Sequence, residues 1–204
     1  MIASCLGVVL AGGAGSRVGG ADKGLLPLQG RPLIARVLDA LRLQCNALRV
    51  VANRNLGEYS RHAETIRDED DGYAGPLAGI VAALVHSNAN VASPDPYGWM
   101  LTVPVDCPKP PPDLRGRLQS ALAKSVNADC AFAHDGDGAQ PLFALYRLSR
   151  VEPLLASARA ALRSHASVAR WQAEMAARAV DFSDQRDAFH NLNTPQDFRD
   201  YGRA

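Results

Sequence analysis

Two patterns of apolar positions alternate along this chain. Short, mostly apolar runs at Leu6 to Leu10, Leu48 to Ala52 and Trp99 to Val103 are too short for helices and read as strands, the first buried on both faces. Between the first two, Leu33, Ile34, Val37, Leu38 and Leu41 recur at helical spacing, on a helix opened by Arg31-Pro32 and ended at Asn46. A third, short strand includes Ile66 and ends in Asp68 to Gly72, and Gly75 to Gly79 lead a helix through Ile80, Val81, Leu84 and Val85. Ser87 to Pro96 reads as an exposed loop, and Lys109 to Pro112 as a rigid link into a helix carrying Leu114, Leu118 and Leu122. Ala128 to Ala133 and Leu142 to Tyr146 are further strands, separated by a polar glycine loop from His134 to Gln140. Val151 to Ala179 is helical in pattern with a break around Ser164 to Ser167, and Val180 to Phe182 an edge strand. Thr194-Pro195 starts a last helix, with an acid at its third position. Strand, loop, helix, strand is the unit of a parallel sheet, so the chain predicts a three-layer α/β fold with a mostly parallel sheet. Ligands are then expected beyond the strands' carboxyl ends.

The 204 residues carry no internal repeat, low-complexity tract or long linker, and are expected to form one domain over 1–204. A net charge of +1 gives no general field for nucleic acid or an anionic membrane, so any anion must be held by a local site. Aromatic residues, at 6%, are too few to interleave with basic clusters as a stacking platform for single strands. Cys5, Cys45, Cys107 and Cys130 are scattered without a C-x-x-C pair, which suggests free thiols in a reducing compartment rather than a zinc site. No basic leader or membrane span opens the chain, so a cytoplasmic location is expected.

The chemistry concentrates after the first strand, in LGVVLAGGAGSRVGGADK. Gly12, Gly13, Gly15, Gly19 and Gly20 let the backbone turn sharply and bring N–H groups close to a ligand, and Arg17 and Lys23 are the cations beside it. Glycines, free donors and two cations suit a polyphosphate. The dinucleotide fingerprint fails, because counting from Gly13 places Val18 where the third glycine belongs. The P-loop ending fails as well, because Lys23 precedes Gly24.

The run resembles L-A-G-G-x-S-x-R-x-G-G-x-D-K, the signature loop of nucleotidyltransferases that make molybdenum cofactor dinucleotides, and is close to the guanylyltransferases of the MobA family. The likeness runs from about Leu6 to Tyr201 and is thinnest between Val151 and Arg178. It implies a Rossmann-like nucleotidyltransferase fold and transfer of GMP from GTP to the phosphate of molybdenum-molybdopterin, giving molybdopterin guanine dinucleotide and pyrophosphate as the last step of cofactor synthesis. It also implies Mg²⁺ as cofactor and transient contact with cofactor-delivering or molybdoenzyme proteins. Gly12-Gly13 resembles the guanine-specific branch. Two rivals stay open: a nucleotidyltransferase of the same fold that uses CTP or a sugar phosphate, and a non-catalytic nucleotide-binding protein.

Arg17, Lys23 and Asp106 are the expected catalytic residues. Asp106 follows an apolar strand between Pro104 and Pro108, and Mg²⁺ in nucleotide sites commonly takes one or two carboxylates plus phosphate oxygens and water. The resemblance makes Asp106 the metal ligand; a turn-forming aspartate is the plain alternative. Leu10, Ala11, Gly12, Gly13, Lys23, Asn53, Asp68 and Asp106 are expected to bind the nucleotide. Asp68 reads equally as part of a solvated acidic loop with Glu69, Asp70 and Asp71, and Asn53 also suits a turn. Gln140, Asn191 and Asn193 match family segments on the acceptor side; Asn191 and Asn193, one residue apart, point to one side of an extended segment that by the resemblance faces the pterin or the metal, and help in capping the last helix is the plain alternative for Asn193. A phosphate nucleophile is already ionised at neutral pH, its second pKa being about 6, so no general base is required.

Overall fold

The computed structural model describes residues 4–12, 22–67, 75–89 and 97–201. Gly13, Arg17 and Asp68 therefore lie outside the described residues. Among the described residues nine strands and seven α-helices follow one another: β1 (Cys5–Leu10), β2 (Pro27–Leu28), β3 (Arg31–Pro32), α1 (Leu33–Arg42), β4 (Ala47–Val51), α2 (Leu56–Ser60), β5 (Glu64–Ile66) and α3 (Pro76–Ala89). They continue with β6 (Trp99–Pro104), α4 (Leu114–Ala123), β7 (Cys130–His134), β8 (Ala139–Arg147), α5 (Val151–Arg163), α6 (Val168–Glu174), β9 (Arg178–Asp181) and α7 (Pro195–Tyr201).

Seven strands form one sheet in the order β5-β4-β1-β6-β8-β7-β9, and β2 and β3 form a separate ribbon. Within the sheet β8 alone runs against the rest, pairing antiparallel with both β6 and β7. β1 lies at the centre, parallel to β4 on one side and β6 on the other. All six of its residues are buried, as a strand covered by helices on both faces requires. Cys5 and Val9 face a core shared with α1 and α4, while Leu6, Val8 and Leu10 face a second core with α3, α5 and α6. This period of two across a sheet with helices on both sides makes the fold three layers.

Several local expectations shift by a few residues, each for an identifiable reason. Helix α1 begins at Leu33 and stops at Arg42. At its start, Gln29 and Gly30 both take positive φ, the geometry of a tight hairpin turn, and draw Arg31-Pro32 into the ribbon with Pro27-Leu28. At its end, Asn46 is recruited to the sheet, its N–H donating to the Cys5 carbonyl (2.8 Å) and its Oδ1 accepting from the Cys5 N–H (2.9 Å). Helix α3 runs on through Ser87 to Ala89, because the Ser87 hydroxyl donates to the Ala83 carbonyl at 2.7 Å rather than competing for a loop conformation. Residues 90–96 of the expected loop lie outside the described residues. Ala139 and Gln140 belong to β8 rather than to the loop before it.

Arg178 and Ala179, expected in a helix, open the edge strand β9 instead, paired with Ala131 and Phe132 of β7. Phe182 leaves the strand and packs edge-on against Phe189, which in turn meets Phe143 edge-on at 4.9 Å. The break between α5 and α6 falls where expected, and the Ser167 side chain caps the second helix.

A smaller cluster seats the chain's end. Leu28, Leu33 and Leu192 are buried together, with Phe198 and Tyr201 packed against them, so α7 and the segment before it lie on the β2–β3 ribbon. That contact brings the region around residue 191 back to the exit of the glycine loop.

Gly7 is where α1's exit crosses the central strand. A Cβ there would stand 2.7 Å from Leu48 Cδ2 and 2.9 Å from Cys45 Sγ. Gly7→Ala is expected to lower stability by about 1–3 kcal/mol, as overpacking does in a filled core, read as a lower midpoint in urea unfolding with an unchanged slope.

Candidate active site

The chain passes from β1 to β4 and β5 on one side, then returns to β6 on the other, so the sheet reverses its winding between β1 and β6. In open α/β sheets ligands bind at the carboxyl ends of the strands at such a point. The end of β1 is held from both flanks: the Leu10 carbonyl accepts from the Val105 N–H at 3.1 Å, and the Ala11 N–H donates to the Val51 carbonyl at 2.8 Å. Leu10 and Ala11 are buried, and Gly12 follows them at the crevice mouth. Asn53 sits across from them in the turn after β4.

Lys23 begins a 3₁₀ turn, Lys23–Leu25, at the loop's exit. Its ammonium donates to Asp106 Oδ2 at 2.9 Å and to Asn193 Oδ1 at 2.7 Å. The Lys23 and Asp106 side chains are only 19% and 22% exposed, so the charges meet in a partly desolvated crevice where they interact more strongly than on an open surface. Asp106 lies just beyond β6, and its backbone also ties down the C-terminal segment, the Leu192 N–H donating to its carbonyl at 2.9 Å. Next to it, the Cys107 thiol donates to the Ala188 carbonyl at 2.9 Å; burial pushes this thiol up to about 12, so it is a structural donor and no nucleophile.

Asn191 and Asn193 line one pocket of about 360 Å³, together with Asp135, Arg186 and His190. Asn193 lies at its border with Lys23, whose ammonium it accepts from. The Asn191 Oδ1 is buried without a hydrogen-bond partner among the described residues, an acceptor that faces the crevice side of the segment unpaired there. The segment is held in place by a cap at α7. Asp197 Oδ2 accepts from the N–H groups of Asn193 and Thr194 at 2.6 and 2.7 Å, while the Thr194 hydroxyl accepts from the Asp197 N–H. Gln140 does not stand free in the pocket: its amide donates to Asp135 Oδ2 at 2.7 Å. Desolvation opposes ionisation of Asp135, but the Gly138 N–H, the Gln140 amide and nearby Arg186 outweigh it and hold the carboxyl below its ordinary value.

Sequence reasoning assigned no role to Asp22 or Tyr59. The Asp22 carboxylate accepts from the Gly24 N–H (3.3 Å), the Tyr59 hydroxyl (2.5 Å) and the Asn55 amide (3.0 Å), with Arg54 Nε at 3.6 Å. Burial first, and then the bond to Asp22, raise the Tyr59 phenol above its ordinary range, so it remains a donor. Gly24 packs under this pair; a Cβ there would strike the Tyr59 hydroxyl and stand 2.9 Å from Val105 Cγ2. Asp22 was visible as the residue before Lys23. Tyr59, in a polar stretch, carried no signal.

Among the described residues no three His, Cys, Asp or Glu side chains cluster as a metal cage. The arrangement is instead one carboxylate, two amide oxygens and one ammonium at the end of a glycine loop, on an α/β sheet at its switch point. Such a set of hard donors beside a cation, at the carboxyl ends of parallel strands, is placed where α/β folds of this kind bind ligands. Residues 7–178 match the MobA-like NTP transferase domain. Molybdenum cofactor guanylyltransferase of Shewanella sediminis is 40% identical over 93% of this chain and 91% of its own length. That of Vibrio cholerae is 40% identical over 96% of this chain and 90% of its own. The crystal structure of molybdopterin-guanine dinucleotide biosynthesis protein A from Archaeoglobus fulgidus superposes with a TM-score of 0.73 at 23% identity, covering 97% of both chains. The crystal structure of 4-diphosphocytidyl-2C-methyl-D-erythritol synthase from Anaerococcus prevotii shares the fold at a TM-score of 0.66 and 11% identity, covering 98% of this chain and 97% of its own. The chain belongs to the MobA-like NTP transferase family, among the molybdenum cofactor guanylyltransferases.

The cap at Asp197 has a pH signature. The Thr194 and then the Asn193 N–H groups depress its carboxyl below the ordinary 3.8. A carboxyl lowered in the folded state contributes fully above its unfolded value and loses that contribution as pH falls through the folded one. Amide shifts of Asn193 and Thr194, followed by NMR, are therefore expected to stay constant from neutral pH to about 5 and to move only below the ordinary carboxylate range.

Proposed function

We propose that this protein transfers GMP from GTP to the terminal phosphate of molybdenum-bound molybdopterin, forming molybdopterin guanine dinucleotide and releasing pyrophosphate. The observation that carries the reading is the convergence of Lys23, Asp106 and Asn193 beyond β1 and β6, in a chain whose relatives bear the guanylyltransferase name. The acceptor phosphate, already ionised at neutral pH, attacks the α-phosphorus of GTP, and the bond to the β-phosphate breaks. No side chain needs to take a proton. Lys23 stabilises the charge that grows on the leaving pyrophosphate, joined by loop N–H groups and Arg17. Asn191 and Asn193 orient the acceptor side of the crevice.

Mg²⁺ fits the donor set: Asp106 supplies a carboxylate, Asn193 an amide oxygen, and Asn191 a buried oxygen without a partner among the described residues, all hard ligands of the kind this ion takes. Asp106 would hold it, with phosphate oxygens and water completing its shell. When bound, it supplies a Lewis acid that neutralises phosphate charge. Asn53 and Asp68 are read as nucleotide contacts, and Gly12-Gly13 as the part of the loop that favours guanine. No helix among the described residues is long and apolar enough to cross a membrane. A cytoplasmic location, with transient contacts to proteins that deliver or receive the cofactor, accords with the reading.

The direct test supplies purified protein with each nucleoside triphosphate and Mg²⁺ and follows pyrophosphate release with and without molybdenum cofactor. GTP is expected to be strongly preferred over CTP and ATP, because a site that pairs one base edge leaves buried groups unpaired with another. Equal turnover of CTP in competition would overturn the guanine assignment. Asp106→Asn keeps size and leaves the backbone bond to Leu192 in place, so the fold should survive. Its rate is expected to fall by two to three orders of magnitude, about 3–4 kcal/mol in transition-state stabilisation. An unchanged rate and Mg²⁺ dependence in a stable Asp106→Asn protein would remove the metal role.

A further inference from the structure

The contacts of Asp22 play no part in the transfer chemistry, yet its side chain is only 6% exposed and both of its oxygens are engaged. Oδ1 accepts from Gly24 and Tyr59; Oδ2 accepts from Asn55 and faces Arg54. Three of these partners lie beyond β4, on the turn into α2 or on α2 itself. The carboxylate thus ties the exit of the glycine loop to the neighbouring strand's turn, the same turn that carries Asn53. One residue further, Lys23 leaves the backbone, and the next, Gly24, is pressed against Tyr59 and Val105 with no space for a side chain. Lys23 is therefore pinned by the residue before it and the residue after it.

We propose that Asp22 is the positioning residue for Lys23: it sets the lysine's backbone so that the ammonium reaches the phosphate site, and it couples the phosphate half of the crevice to the turn beyond β4. The physical case is entropic and electrostatic. A lysine has a long flexible stem, and its charge is useful only if its origin is fixed to a fraction of an ångström, since a displacement of about 1 Å costs on the order of a hundredfold in rate. Removing the carboxylate would also orphan the buried Tyr59 hydroxyl and leave Arg54 without its counter-charge, so the loop exit would relax away from α2. The proposal rests on Lys23 being the phosphate cation.

Inorganic pyrophosphate is the probe, because it reports the phosphate site without a base or an acceptor. Its affinity is measured by calorimetry for the wild type, Asp22→Ala, Lys23→Ala and the double variant, with thermal unfolding as a control. Asp22→Ala is expected to weaken binding about tenfold while remaining folded. In the Lys23→Ala background the same change is expected to add nothing, since a residue that acts through the lysine has no further effect once the lysine is gone. GTP turnover should follow the same cycle, with kcat lowered and the acceptor KM little changed. Losses that multiply, or wild-type affinity in Asp22→Ala, would overturn the positioning role.

Should Asp22→Ala fail to fold, Tyr59→Phe removes one of the bonds and keeps the ring. Its smaller loss must likewise vanish when Lys23 is alanine, and a loss that persists there overturns the role. A wild type that does not bind pyrophosphate overturns the phosphate site and the proposal with it. If the cycle closes on pyrophosphate but no nucleotide is transferred, the guanylyltransferase reading fails and the role of Asp22 stands.

Discussion

One ammonium group, shared between a carboxylate and an amide oxygen, is the contact around which the crevice is assembled. Lys23 comes from the exit of the first loop, Asp106 from beyond the central strands, and Asn193 from the segment before the last helix. None of these groups is neighbour to another in the chain, and two carry full charge in a partly desolvated place. Such a meeting is favourable only if the backbone brings the groups together without further ordering cost. The structure does this with separate restraints on each arm: a buried carboxylate and a glycine around Lys23, a sheet strand under Asp106, and a helix cap with a small apolar cluster beneath Asn193.

The sheet explains why the arms converge at one end. β1, β4 and β6 are parallel and finish at the same side, and the chain's reversal between β1 and β6 opens a gap above them. Helices on both faces bury the central strand completely, so its end is a rigid edge from which a glycine-rich loop can depart. The antiparallel strand β8 serves a different purpose. It leads from the 135–138 loop into the body of the sheet, and its Gln140 holds Asp135, which lines the pocket with Asn191 and Asn193.

Much of this was legible in the order of residues. The strand-helix alternation, the buried first strand, the break between α5 and α6 and the cap of the last helix all rest on short-range rules: side-chain periodicity, proline and glycine geometry, and hydrogen bonds between residues three apart. The candidate residues were legible for a related reason. Glycines, a lysine and a strand-end aspartate carry their chemistry with them, and the resemblance to one loop signature assigned them roles. Two departures fell where a distant partner decided the outcome: Asn46 left its helix to bond Cys5, and Arg178-Ala179 joined β7 as a strand.

What the sequence alone determined about this protein is its class of fold, its family and the inventory of groups at the candidate site. Those follow from local preferences and from residue chemistry. Only the tertiary structure decided which of those groups touch. That Asn193 reaches Lys23, that Asp22 binds Tyr59 and Asn55, and that Asn191 keeps a buried oxygen unpaired among the described residues depend on long-range closure of the chain. Such contacts join residues separated by up to 170 positions. No periodicity records them, because their geometry is set by the packing of whole elements on the sheet rather than by the residues beside them in the chain.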